Sequence, residues 1–246
     1  IVSVSNEFAS IFDGVSYVEP WVVNLHYIKG VREATLEAKY WFGKVVVPKW
    51  WDDRDAKPPK INPWQARTSI NYQGKTIELP AEEWDSYMTS MWKYAEFDPS
   101  LLRKLPVCFD RRDKARESKL VESVVKGTKP FILVNLNSSG SSPFPFIPEV
   151  MKHVYALRSK FDIIDLSIVK ADRIYDLLGL YDKAAFLITA DTSTLHLASA
   201  SNLKYHAFIA NGGGGSVPKG NCVSYIRYER TMQEIGRFKS ILDTIV

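Results

Sequence analysis

The stretch "LITADTSTLHLASASN", residues 187–202, joins an apolar run to a polar turn and the start of a helix. The apolar run ends at Asp191, and three hydroxyl residues follow it. Apolar side chains then return at helical spacing, with His196 among them. A second apolar run, "KYHAFIAN" at 204–211, predicts that another strand follows the helix. The stretch therefore predicts a strand–helix–strand unit with a polar turn at the carboxyl end of its first strand.

The rest of the second half repeats this alternation of strand and helix. The predicted elements are strands at 129–137, 161–169, 184–190 and 204–211, and helices at 147–160, 171–183, 192–202 and 231–246. Such alternation is typical of a doubly wound, Rossmann-like α/β domain with a parallel sheet. We place this domain at residues 126–246, after a charged stretch.

The first half also mixes strands and helices, and we place a second α/β domain at residues 1–125. The predicted elements are strands at 1–5, 19–28 and 43–50, helices at 6–14 and 81–97, and a hairpin around Gln73-Gly74. The segment between the third strand and the hairpin is rich in Pro, Asp and Trp and predicts a long loop. Its tryptophans, Trp50, Trp51 and Trp64, need a core or a ligand to cover them.

Composition narrows the class of protein. The chain has 246 residues, of which 46% are hydrophobic and 24% charged, as in globular proteins that carry a sizeable core. The net charge of +4 permits an anionic ligand without requiring one. Cys108 and Cys222 form no Cys-x-x-Cys pair, so a cysteine-based zinc site is not expected, while a disulfide stays open. With neither a transmembrane segment nor a signal peptide in view, we expect a cytoplasmic protein.

Three loops of the second half should meet at one edge of its sheet, because ligands of open parallel sheets bind beyond the carboxyl ends of the strands. These loops are rich in Gly, Ser, Thr and Asn, whose N–H and hydroxyl groups suit a phosphate or a diphosphate. The candidate donor-binding residues are Asn137, Ser138, Ser139, Thr192, Ser193, Thr194, Gly212 and Gly213. Asp191 and His196 stand in the same turn and are the candidate catalytic residues.

Each of these features also has a simpler explanation when it is taken alone. Thr192 or Ser193 would serve as an ordinary helix N-cap. His196 would be a structural histidine, and the glycine run would be a flexible turn. Their convergence at one sheet edge is what favours a ligand site.

The segment "DTSTLHLASASNLKYHAFIANG", residues 191–212, resembles the signature of the ADP-heptose:lipopolysaccharide heptosyltransferase-like glycosyltransferases, which form glycosyltransferase family 9. In that family a strand ends in Asp-Thr-Gly, two residues intervene, and His-Leu-Ala-x-Ala precedes a strand and a glycine-containing loop. The matching residues are Asp191, Thr192, His196, Leu197, Ala198 and Ala200, and Ser193 stands at the glycine position. The resemblance extends over most of the chain but is specific only in residues 186–212.

The resemblance implies a GT-B fold, in which two Rossmann-like domains face each other across a cleft. The N-terminal domain would face the acceptor and would lack its first strand and helix. The C-terminal domain would hold the nucleotide-sugar, with Thr192, Ser193 and Thr194 donating to phosphate and Asp191 orienting the loop or a sugar hydroxyl. His196 would lie near the diphosphate, and Lys170 would replace a family lysine. Such an enzyme would use neither a metal nor a cofactor.

The expected function is therefore transfer of a hexose or heptose from a nucleotide-diphosphate donor. The acceptor would be a glycan, a lipopolysaccharide or another lipid-linked molecule, with peripheral association at the inner face of the membrane as an option. A modified base in DNA is a further acceptor, favoured by the mildly basic charge and the tryptophan-rich loop. The alternative is a non-catalytic GT-B-like protein that serves binding or assembly.

Overall fold

The computed structural model describes residues 2–16, 20–23, 69–72, 75–78, 108–138, 143–210 and 221–245. The chain forms two compact units, Ile1–Arg112 and Asp113–Val246. The predicted strand at 43–50, the predicted helix at 81–97 and the three tryptophans of the predicted loop lie outside the described residues. Ser139, Gly212 and Gly213 lie outside them too.

Two strand pairs are described in the first unit. β1 (Val2–Ser5) and β2 (Pro20–Val23) pair in parallel, and a 3-10 helix at Asn6–Gly14 connects them. β3 (Ser69–Tyr72) and β4 (Lys75–Glu78) pair antiparallel, with Tyr72 opposite Lys75. This register leaves two residues for the turn, so the predicted hairpin is confirmed.

The second unit is an alternating α/β unit built on a single described sheet. Its elements are α1 (Lys114–Val124), β5 (Phe131–Asn135), α2 (Ile147–Tyr155), β6 (Asp162–Asp165), α3 (Leu178–Tyr181), β7 (Phe186–Thr189), α4 (Ser193–Ala198), β8 (Tyr205–Ile209), β9 (Cys222–Arg227) and α5 (Ile235–Ile245). Short 3-10 helices lie at Ala156–Ser159, Ile174–Leu177 and Tyr228–Arg230. α1, which precedes the expected domain boundary at 125, belongs to this unit.

The five strands are parallel throughout and lie in the order β6–β5–β7–β8–β9. The predicted Rossmann-like, doubly wound sheet is therefore confirmed. The connections β5–α2–β6 and β6–α3–β7 run in opposite directions along the sheet. Right-handed crossovers consequently place α2 and α3 on opposite faces.

The central strands are buried on both faces, which explains their continuous apolar runs. All five residues of β5 and of β8, and all four of β7, are buried. On one face α2 and α5 contribute Val150, Val154 and Phe238 to a core with Ile132 and Ile188. The predicted helix at 147–160 therefore packs on the sheet through apolar residues at helical spacing.

Several details differ from the sequence prediction. The strand predicted at 161–169 ends at Asp165, whose carboxylate accepts the N–H of Ser167 at 2.9 Å and so turns the chain out of the sheet. Neither the helix Lys114–Val124 nor the strand Cys222–Arg227 was predicted. Neither cysteine forms a disulfide. Over the described ranges, no helix combines the length and the apolar character that a membrane span requires.

Candidate functional site

The second sheet has one point at which the strand order reverses, between β5 and β7. β5 lies between β6 and β7, so the chain leaves it in one direction and later continues from β7 in the other. In doubly wound sheets of this order, ligands bind in the crevice at the carboxyl ends of these two strands. The N–H of Ala190 donates to the carbonyl of Asn135 at 2.7 Å, which joins the two strand ends. We call this place the switch point.

The turn after β7 is fastened to both strands by the Thr194 hydroxyl. Thr194 is buried, and its Oγ1 lies 3.2 Å from Nδ2 of Asn135, 2.8 Å from Oγ1 of Thr189 and 2.7 Å from Oγ1 of Thr192. Its carbonyl accepts the hydroxyl of Tyr181 at 3.0 Å, which ties the turn to α3. Burial raises the pKa of Tyr181, so this phenol remains a donor.

The direction of these hydrogen bonds follows from one carbonyl. Thr189 Oγ1 lies 2.9 Å from the carbonyl of Ala190, and a carbonyl can only accept, so Thr189 donates there. In its contact with Thr194, Thr189 must then be the acceptor, so the single hydroxyl proton of Thr194 is donated to Thr189. Because Thr194 has no second proton, Thr192 must donate to Thr194. The hydroxyl protons of Thr192 and Thr194 therefore point into the protein. Of the three hydroxyl residues in the turn, Ser193 keeps its side chain exposed.

Asn135 adds an unused acceptor at the switch point. Its Nδ2 donates to Thr194, while its buried Oδ1 has no hydrogen-bond partner within the described part of the chain. Turning the amide over would not remedy this, because Thr194 has already used its only proton. Buried polar atoms without a partner are rare and cost free energy. Asn135 was not among the predicted site residues.

Asp191 forms hydrogen bonds with residues that follow two other strands, β8 and β9. Its backbone N–H donates to the hydroxyl of Tyr228 at 3.2 Å, and its Oδ2 lies 3.4 Å from the N–H of Ala210 at the end of β8. The side chain is half-buried. Asp191 thus stands at the centre of the carboxyl edge.

The loop after β5 supplies two predicted residues to the same edge. Ser138 Oγ accepts the N–H of Phe144 at 3.0 Å, and its hydroxyl acts on the ionisation of the nearby Tyr228 phenol. Nδ2 of Asn137 donates to Oγ of Ser167 at 2.9 Å, which connects this loop to the end of β6. Lys170 is exposed three residues farther along.

Ser193 and His196 lie on α4. The backbone of Thr192 is extended, with φ −140° and ψ 177°, and Ser193 is the first helical residue. A helical residue has negative φ, so serine is accommodated at the position where the resembled family has glycine. Thr192 occupies the N-cap position, but its side chain accepts no capping hydrogen bond; its hydroxyl lies 2.7 Å from that of Thr194. The His196 side chain is exposed.

The structure thus gathers Asn137, Ser138 and residues 191–194 at the ends of adjacent parallel strands. Sequence reasoning missed Tyr228 because it missed β9, the strand that this tyrosine follows. The signal in the sequence was the β-branched and aromatic content of this segment, Val223, Tyr225 and Ile226. Among the described residues, no three His, Cys, Asp or Glu side chains cluster as a metal site would require.

The fold has a counterpart among solved structures. The crystal structure described as the glycosyl transferase family 9 from Veillonella parvula DSM 2008 aligns with 97% of this chain and 79% of its own, with a TM-score of 0.52 and 13% identity. No protein-family model and no curated protein matches the sequence. At this identity the likeness concerns the fold: the chain shares its architecture with a glycosyltransferase.

Proposed function

We propose that the protein transfers a sugar from a nucleotide-diphosphate donor and that the donor lies at the switch point. The observation that carries the proposal is the position of the Asp191–Thr194 turn. It occupies one side of the crevice where doubly wound sheets bind their ligands, and Ser138 occupies the other. The fold shared with a family 9 glycosyl transferase supports glycosyl transfer as the reaction at this crevice.

In the proposed reaction, the oxygen of an acceptor hydroxyl attacks the anomeric carbon, the bond from that carbon to the diphosphate breaks, and the hydroxyl proton passes to the solvent. Negative charge then grows on the leaving diphosphate, and hydrogen-bond donors aimed at it lower the barrier. The Thr192 and Thr194 hydroxyls donate their protons to other protein groups. We therefore propose that the diphosphate accepts hydrogen bonds from the exposed Ser193 hydroxyl, from Lys170 and from backbone N–H groups of the turn. The proposed mechanism needs no metal ion.

Asp191 and His196 are the proposed catalytic residues, through contact with the sugar and the diphosphate. For the acceptor we propose a glycan or a lipid-linked glycan, with a modified base in DNA as the alternative. The proposed nucleotide-sugar class includes hexose and heptose donors.

The test is calorimetric titration with UDP-, ADP- and GDP-sugars. At least one should bind the wild-type protein, and Ser193→Asp should weaken that binding about tenfold or more, because it places a carboxylate beside the diphosphate. Ser159→Asp is the matched control. Ser159 is also exposed but precedes β6, at the opposite edge of the sheet, so affinity should not change.

Two results would count against the proposal. If no nucleotide-sugar binds, the function is wrong. If one binds equally well to the wild type and to Ser193→Asp, the site is wrong. Release of nucleoside diphosphate from the bound donor, lost in Asp191→Ala and His196→Ala, separates a transferase from a protein that only binds.

A further inference from the structure

Tyr228 has a position that the proposed reaction does not yet explain. It directly follows β9, at the carboxyl edge of the sheet. Only 4% of its surface is exposed, and its ring centroid lies 4.9 Å from that of Phe144 at an interplanar angle of 57°. The ring is therefore fixed by packing, and the direction of its hydroxyl is fixed with it.

Tyr228 joins the loops on the two sides of the switch point. On one side its hydroxyl accepts the backbone N–H of Asp191 at 3.2 Å. On the other it lies near the Ser138 side chain, whose Oγ accepts the N–H of Phe144 at 3.0 Å. Tyr228 thus contacts the loop after β5 through its ring, which packs on Phe144, and the turn after β7 through its hydroxyl.

Four causes act on the ionisation of this phenol. Burial raises the pKa of Tyr228 most strongly, and the Asp191 carboxylate raises it further, while the hydrogen bonds from Asp191 and Ser138 lower it; the net direction is upward. The phenol is consequently neutral at physiological pH. The bridge therefore keeps the same protonation state under the conditions in which a ligand would bind.

We infer that Tyr228 is a positioning residue that fixes the Asp191 turn against the loop after β5 and so sets the geometry of the switch point. The inference rests on the proposed function for the identity of the ligand. The contacts of Tyr228 with Asp191 and Phe144 are made between protein groups and do not depend on the proposed function. Strand β9 thereby contributes to the site although it is separated from β7 by β8.

The first test needs no ligand. Tyr228→Phe keeps the aromatic ring and removes the hydroxyl, so the Asp191 amide should exchange its hydrogen about tenfold faster or more. The exposed Tyr225, on the same strand, provides the matched control Tyr225→Phe, which should leave that exchange unchanged. Equal exchange at Asp191 in the wild type and in Tyr228→Phe would overturn the inference.

The second test uses the nucleotide-sugar that binds most tightly in calorimetry. Tyr228→Phe should weaken it about fivefold to tenfold, the loss of roughly one hydrogen bond. If Tyr228 acts by fixing the turn that carries Ser193, the loss should be smaller in the Ser193→Ala background than in the wild type, and purely additive losses would contradict positioning. Faster exchange at Asp191 in a protein that binds no nucleotide-sugar would support the bridge while rejecting the proposed function.

Discussion

His206 should make the stability of the second unit depend on pH. The ring has no exposed surface and lies between Phe208 and Phe238, at centroid distances of 4.8 and 4.9 Å. Its Nδ1 is 2.6 Å from Oγ of Ser224, and its buried Nε2 has no partner among the residues that the structure describes. Burial, assisted by the Arg237 charge, lowers the pKa of His206 to about 3 from an ordinary value of 6.5.

The direction of this pH dependence follows from the number of protons that the folded and unfolded states bind. Between pH 6.5 and about 3 the unfolded chain binds a proton at His206 and the folded chain does not, so protons favour unfolding. The contribution of neutral His206 is complete above pH 6.5 and is lost progressively as the pH falls towards 3. With these two pKa values, the loss between pH 7 and pH 5 is about 2 kcal/mol.

The assay must report on the second unit alone. All the tryptophans lie before residue 113, so tryptophan fluorescence follows the first unit. Hydrogen exchange of a core amide such as Phe208, corrected for the intrinsic exchange rate, gives the free energy of opening in the second unit.

His206→Gln removes the titrating ring and keeps a polar group for Ser224. It should shrink the difference between pH 7 and pH 5 by about 2 kcal/mol. His153→Gln, at a half-buried position on α2, should retain the difference. An unchanged pH dependence in His206→Gln would refute the reasoning.

Two further predictions concern packing and ion pairs. Gly179→Ala should destabilise the second unit by about 1–3 kcal/mol, because the new Cβ would lie 2.7 Å from Cβ of Glu117 where α1 meets α3; Gly236→Ala, with nothing within 4 Å, should cost less than about 0.5 kcal/mol in the same thermal unfolding assay. Asp176→Asn should lower the free energy of unfolding by about 2 kcal/mol, because that buried carboxylate accepts hydrogen bonds from Arg116 and Arg173. Asp182 is exposed and pairs with Lys114, so Asp182→Asn should lower it by less than about 1 kcal/mol. Equal losses of stability in urea unfolding would contradict the conclusion that the buried ion pairs matter more.

The local hydrophobic periodicity of the sequence was sufficient to predict most strands and helices of the second unit. Strands such as β5 and β7 are continuous apolar runs because both their faces are covered, and α2 carries its apolar residues at helical spacing. β9 was not predicted because the burial of its residues alternates, as in an edge strand, and apolar residues such as Val223 and Tyr225 are exposed.

The candidate site was predictable in place but not in detail. A turn rich in hydroxyl groups at a strand end could be read from residues 191–194, and the parallel topology then brings the strand ends together. Which hydroxyl donates and which accepts depends on contacts between residues far apart in sequence, such as Asn135 with Thr194. The link between Asp191 and Tyr228 is of the same kind, since 37 residues separate the two.

The most direct test of the central claim maps where a nucleotide-sugar binds. In an NMR titration with the tightest-binding donor, the account predicts the largest amide shifts at Asn137, Ser138 and residues 191–194, at the carboxyl edge of the second sheet. Amides at the opposite edge, such as that of Lys160, should not shift. Shifts confined to other residues, with the 191–194 turn unaffected, would contradict the account.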